Sequence, residues 1–248
     1  MKRCLIPIGF ALIATACQQP PAVRQIQDSI HTDPTTADTA DVVAEPTERD
    51  TVTIAGVLYN IIDISQAEFE AVPGYRPLPE NEKENIARYA GKIFRSGDSL
   101  MLKLENDSMV VLKTNRSDNE DYADYHFLDY MPALKAYLVY VEGYEYFAYL
   151  LVDANMGRVT NTIGVPQLSP DKKMFVSSNE DLVAAFTTNG FELFRMGTDS
   201  LELVQERQPE KWGPVIIKWK DARSFVGHFN ELDEEINRIG RYVKLVPR

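Results

Sequence analysis

The chain has 248 residues, 44% of them hydrophobic and 25% charged, with a formal net charge of -11. These proportions exclude a collagen-like, coiled-coil or polytopic membrane protein. The acidic balance, 37 Asp and Glu against 26 Lys and Arg, argues against nucleic acid as a partner and against a charge-driven hold on an anionic membrane, since both draw on Lys and Arg.

The chain opens MKRCLIPIGFALIATACQQP. Lys2 and Arg3 form a short positive region. Leu5 to Ala14 is an apolar run too short for a permanent span, which takes about 20 residues. Ala14, Thr15 and Ala16 are small, and the pattern predicts a secretory signal peptide over residues 1–16. Cys17 follows. The arrangement resembles the lipobox of bacterial lipoproteins, with Ala14 standing where Leu is commonest. The resemblance implies that Cys17 is lipidated and becomes the mature N-terminus, holding the protein to a membrane through lipid. Cys4 falls in the segment to be removed, so no disulfide is expected, although an exported protein would permit one. Gln18 stands where many such lipoproteins carry the Asp that signals inner-membrane retention, which implies the outer membrane.

Residues 17–50 read as the lipidated cysteine and a disordered tether. Positions 18–50 hold no aromatic residue and no glycine, four prolines, five threonines, and seven acids against two arginines. Such a segment buries too little apolar surface to offset its ordering entropy. As a random chain it spans about 30 Å on average.

From Thr51 to the end, residues 51–248, aromatic and β-branched residues dominate and predict a single β-rich domain. VTIAGVLYNIIDI (52–64) is a β-rich stretch. Pro79, Glu80 and Glu82 mark a helix start, and Ile86, Tyr89, Ala90 and Ile93 recur at helical spacing. SLMLKLENDSMVVLKT (99–114) reads as a hairpin about Asn106-Asp107. AYLVYVEGYEYFAYLLVD (136–153) gives two strands around Gly143, and DANMG (153–157) turns the chain into another. LVAAFTTNGFELFRM (182–196) predicts a hairpin at Asn189-Gly190. PVIIKWK, RSFVGHF and RYVKLVP close the chain, with ELDEEINRI (231–239) between them as a short helix or a charged loop.

PQLSPDKKMF from Pro166 and PVIIKWKDARSF from Pro214 form a faint repeat, each with a strand, a turn containing Asp171 or Asp221, and Phe175 or Phe225. A period of 40–50 residues is that of a four-stranded propeller blade. SPDKK resembles the turn of many bacterial propeller repeats, and YLLVDANMGRV is similar to their Asp-x-x-x-Gly hairpin. The expected fold is mainly β and antiparallel, with one short helix: either propeller-like blades, about four at that period and so an incomplete ring, or a β-sandwich.

The sequence nominates no catalytic residue, no metal ligand and no cofactor. His31, His126 and His228 are too separated to make a transition-metal site by sequence, and no HExxH, GxSxG, P-loop or GxGxxG occurs. Asp118, Glu120, Asp121 and Asp124 offer oxygen ligands but lack the spacing of a calcium loop. Tyrosines concentrate between 122 and 149. Tyr122 and Tyr125 beside the acidic run, and Tyr144 and Tyr146 beside Gly143, form a candidate ligand-binding surface, because tyrosine is stiff and amphipathic. The sequence predicts a non-catalytic, lipid-anchored envelope protein whose β domain binds an envelope protein or glycan. The alternative is a glycan or peptide hydrolase using acids such as Asp118, Glu120, Asp121 or Glu142.

Overall fold

Two adjacent residues with positive φ, Ala55 at 48° and Gly56 at 79°, turn the first strand back on itself. The stretch from 52 to 64 is therefore a hairpin, β1 (Thr51–Ile54) and β2 (Val57–Asp63), rather than one strand. The computed structural model describes residues 50–198 and 200–248. The expected signal peptide, Cys17 and nearly all of the expected tether lie outside the described residues.

A strap of helices follows. Ser65 caps α1 (Gln66–Glu70), its Oγ accepting from Glu68 N at 3.2 Å; the sequence reading did not foresee this helix. The Pro79–Asn81 turn is a single 3-10 turn leading into α2 (Glu82–Arg88). The helix ends before Ile93, which is already in the next strand, because Gly91 takes φ +86° and turns the chain.

The remaining strands form antiparallel sheets in chain order. Sheet I is β3 (Ile93–Ser96), β4 (Ser99–Lys103) and β5 (Met109–Lys113). Sheet II is β6 (Ala123–Met131), β7 (Ala136–Gly143), β8 (Tyr146–Asp153) and β9 (Val159–Thr162). Sheet III is β10 (Gln167–Leu168), β11 (Met174–Asn179), β12 (Gly190–Met196) and β13 (Leu201–Arg207). Sheet IV joins β14 (Trp212–Trp219), β15 (Phe225–Leu232) and β16 (Arg238–Pro247) to β2 and β1. The β16–β2 pairing, Val243 opposite Asp63 and Pro247 opposite Tyr59, brings the two ends of the described chain into one sheet.

The repeat places equivalent hairpins in sheets III and IV. Leu168 pairs with Phe175, and Trp219 with Phe225. Asp171 accepts from Ser169 Oγ at 2.7 Å and Lys173 N at 3.1 Å; Asp221 accepts from Ser224 Oγ at 2.5 Å and Arg223 N at 2.8 Å. Asp153 likewise accepts from Asn155 N and Met156 N, and Gly157 takes φ +70°. Short polar side chains bonding the backbone two or three residues on are what make these turns.

Successive sheets pack face to face. Ile93, Leu100 and Leu102 of sheet I meet Phe127, Val139 and Val152 of sheet II. Leu128, Leu138 and Leu151 meet Phe175 and Phe194 of sheet III. Phe191 and Leu193 meet Trp212, Ile217 and Phe229 of sheet IV. Side chains alternate along a strand, so a sheet buried on both faces contributes to two clusters. Each fully buried Leu or Phe stabilises by about 1.5–3 kcal/mol. No buried cluster among the described residues joins sheet I to sheet IV. The architecture is mainly β and antiparallel, consistent with an incomplete propeller or sandwich. The outer face of sheet IV is covered by α1, whose Phe69 packs on Ile216 and Val226.

One expected element differs. LVAAF is not a strand, and Asn189-Gly190 is not a two-residue turn: β11 and β12 are joined by a loop over 180–189. Asp181 holds that loop, its carboxylate accepting from Ala185 N at 2.9 Å and Thr187 N at 2.6 Å. Of the two readings of residues 231–239 the charged loop holds: 233–237 turn between β15 and β16, where Asp233 accepts from Glu235 N and Asn237 N.

Candidate functional site

The β7–β8 hairpin turns at Tyr144 and Glu145, the latter at φ +59°. Tyr144 and Tyr146 are 46% and 41% exposed. A Cβ on Gly143 would come within 2.0 Å of Tyr146 Cε1, so the Tyr146 ring lies against that glycine. Tyr125 packs on the sheet I–II core. Burial, and next the Tyr146 phenol beside it, push its own phenol up. Tyr125 and Tyr146 are thus brought together. Tyr122 stands apart in the turn before β6, its N–H donating to Asn119 O at 2.9 Å.

The opposite face of sheet II carries a second set of rings that the sequence did not single out as a site. Tyr140 lies 6.1 Å from His126, 5.9 Å from Phe147 and 5.5 Å from Tyr149, centroid to centroid. Burial, with Tyr140 next to it, pushes the Tyr149 phenol up to about 12. This face looks toward sheet III, where Glu192 of β12 accepts from Ser177 Oγ at 2.8 Å and from Ile163 N at 3.1 Å. Burial is the main cause that pushes the Glu192 carboxyl up. Glu206, directly opposite in β13, adds to it, and the two hydrogen bonds oppose it.

Tyr146, Phe147, Asn161, Ile163, Phe186 and Glu192 line a cavity of about 290 Å³ between the two sheets. Phe186 is 58% exposed. It stands on the 180–189 loop, which is braced from within. Asn179 Nδ2 donates to Thr187 Oγ1 at 2.8 Å, and Asn189 Nδ2 to Pro209 O at 2.8 Å. The residues from Phe186 to Thr188 also border a second cavity of about 580 Å³ with Asn189, Gln208 and Glu210. Phe186 is hidden in the sequence because LVAAF reads as a strand. Glu192 is hidden because a single acid between Phe191 and Leu193 reads as the solvent-facing member of an alternating strand.

A third cavity, about 530 Å³, lies under the strap and is lined by Tyr75, Asp129, Pro132, Pro166, Gln167 and Lys172 among others. The Asp129 carboxylate there accepts from Tyr75 Oη and Tyr89 Oη, both at 2.7 Å, and from Tyr130 N at 2.8 Å. Its bonds join the strap to sheet II, so its evident work is structural.

Other ionisable groups are occupied in packing. Lys218 is 5% exposed. Its Nζ donates to Phe69 O at 2.7 Å and to Val72 O, and lies 3.7 Å from the Phe69 ring centre. Burial, then the Arg76 charge, push its pKa down. His228 stacks on Tyr242 at 4.8 Å, and His126 lies 3.6 Å from Asp124, which also accepts from Thr114 Oγ1. Asp118, Glu120, Asp121 and Glu142 are exposed, and none lines the cavities just described. Among the described residues no group of three His, Cys, Asp or Glu side chains could hold a metal ion. No helix among them is long and apolar enough to cross a membrane.

Fold and cleft together define a class: a mainly β protein of serially packed antiparallel sheets, with an aromatic cleft holding one raised carboxyl between the second and third. No known family, curated protein or solved structure matches the chain.

Proposed function

We propose that this chain is a non-catalytic, lipid-anchored lipoprotein of the bacterial cell envelope, in the outer membrane, whose β domain binds another envelope component through the cleft between sheets II and III. Lys2, Arg3, the apolar run to Ala14 and Cys17 support the anchor. The observation that carries the binding reading is Phe186, a large apolar side chain presented to solvent by an internally bonded loop at the mouth of a cavity. Exposed aromatic anchors at a concave site are a usual basis of recognition. Glycan hydrolysis through an acid pair calls for two carboxyl groups about 5–10 Å apart across a cleft. Among the described residues Glu192 is the one acid lining this cavity.

Metabolic labelling with an alkyne fatty acid, in wild type and Cys17→Ser, tests the anchor; label retained in Cys17→Ser ends that part of the reading. Crosslinking in intact cells, comparing wild type with Phe186→Ala, tests the cleft. A defined adduct weakened by Phe186→Ala is expected. An adduct pattern indifferent to Phe186 would remove the cleft from the function.

A further inference from the structure

Among the described residues the Glu192 carboxyl has two hydrogen-bond donors, both on Oε2, and no counter-cation. A half-buried carboxyl is costly to ionise without one, and Glu206 opposite adds like charge. Around it stand Phe147 and Phe186. Aromatic faces beside a carboxylate attract a cation by two routes at once, through charge and through the ring quadrupole. The same cavity is bordered by Asn161, Thr162 and Ile163 at the end of β9. That strand is the edge of sheet II among the described residues and carries no charge between Val159 and Thr162. At four residues β9 is a short edge, which limits pairing with a second copy, and within it no charge or proline stands against a partner strand. Such an edge can pair with an extended chain, whose alternate side chains then drop into flanking pockets.

We infer that this cleft takes a lysine or arginine side chain presented by an extended segment of a partner polypeptide. The segment lies along β9 and the cation sits among Phe147, Phe186 and Glu192. The inference deepens the cleft-binding reading above and rests on it. The net charge of -11 favours such a basic partner over an acidic one.

The test is a titration of the full chain in detergent with the peptide acetyl-Val-Thr-Lys-Thr-Val-amide, its norleucine and arginine counterparts, and phosphoethanolamine. The lysine and arginine peptides should bind about tenfold or more tightly than the norleucine peptide, as a charge-assisted hydrogen bond in a partly buried site implies. Glu192→Gln, which keeps an acceptor for Ile163 N and Ser177 Oγ, should erase that preference. Phe186→Ala should weaken the cationic peptides severalfold. Equal binding of the norleucine peptide, a preference that survives Glu192→Gln, or phosphoethanolamine binding in place of the peptides would overturn the inference. Thermal unfolding of Glu192→Gln verifies its fold, and exposed Phe186 supplies an independent variant. A cellular adduct that depends on Phe186 but not on Glu192 would overturn the cation while leaving the cleft reading in place. An adduct indifferent to both would overturn the cleft reading itself.

Discussion

Tyr75 and Asp129 are 54 positions apart in sequence, and the Tyr75 phenol donates to Asp129 Oδ2 at 2.7 Å. That bond is one of a series by which the strap between β2 and β3 holds all four sheets. Lys218 of sheet IV binds the carbonyls at the end of α1. Gln167 of sheet III exchanges two hydrogen bonds with the Tyr75 backbone, at 2.9 and 2.7 Å. Asp129 of sheet II takes both phenols. Glu82 of α2 accepts from Arg95 of sheet I at 2.6 Å and from Phe127 N at 2.7 Å, beside the bulge in β6.

Breaking this series at Asp129 should loosen the whole stack. Asp129→Leu strands two partly buried phenols and is expected to destabilise by about 2–4 kcal/mol. Tyr75→Phe, which removes one donor and leaves Asp129 its other partners, should cost about 1–2 kcal/mol. Urea unfolding of the two variants checks the order, and an Asp129→Leu protein as stable as wild type would contradict it.

The Glu192 carboxyl titrates above its ordinary 4.5 because of burial, then Glu206. The folded state therefore holds its proton more tightly than the unfolded chain does. Its cost to stability is absent below the unfolded pKa and grows as pH rises through the folded one. Glu192→Gln is accordingly expected to match wild type near pH 4 and to unfold at a higher temperature at pH 7.5. A variant less stable than wild type at both values would show that the carboxylate is a net structural bond.

The loop that presents Phe186 depends on Asp181. Burial pushes that carboxyl up, but bonds from Thr187 N, Thr187 Oγ1 and Ala185 N outweigh it and hold the pKa down. Stability from this group is full above the unfolded pKa near 3.8 and lost as pH falls through the lower folded value. Asp181→Ala should speed amide hydrogen exchange at Ala185 and Thr187 and leave exchange in β11 and β12 nearly unchanged. Exchange raised equally across sheet III would mean that the loop and the sheet unfold together.

Gly190 opens β12 at φ +141°, and a Cβ there would meet Arg207 O at 2.0 Å. Gly190→Ala combines a disfavoured backbone with a clash against the β13 main chain, so about 3 kcal/mol or more of stability should be lost. The urea midpoint measures it. A cost under 1 kcal/mol would show that β13 can move aside.

What the sequence by itself determined is local. The alternation along β4, β7, β8, β14 and β15, the Asp171, Asp221 and Asp153 turns, and the start of α2 at Pro79 are all set by residues within a few positions of one another. Their signals are periodicity and short side-chain-to-backbone bonds, which need no distant partner. The two turns of the repeat, at Asp171 and Asp221, also carried through, since each hairpin folds by the same local rule. Asn189-Gly190 misled because a two-residue turn competes with whatever else can bond the same backbone. Here Asp181 and Pro209, 8 and 20 positions away, prevailed.

The tertiary structure decided which face of each strand meets which neighbour. Phe191 and Leu193 point toward sheet IV, while Glu192 between them points toward Ile163 and the rings of sheet II. In the sequence the three positions differ only by alternation. Tyr125 and Tyr146 were legible as tyrosines near a turn, and Tyr140, Phe147 and Tyr149 as strand residues. Which set borders a cleft depends on how far sheets I and III extend over sheet II. That is settled by packing between segments tens of residues apart, and a strand's own period of two cannot encode which of its faces is covered.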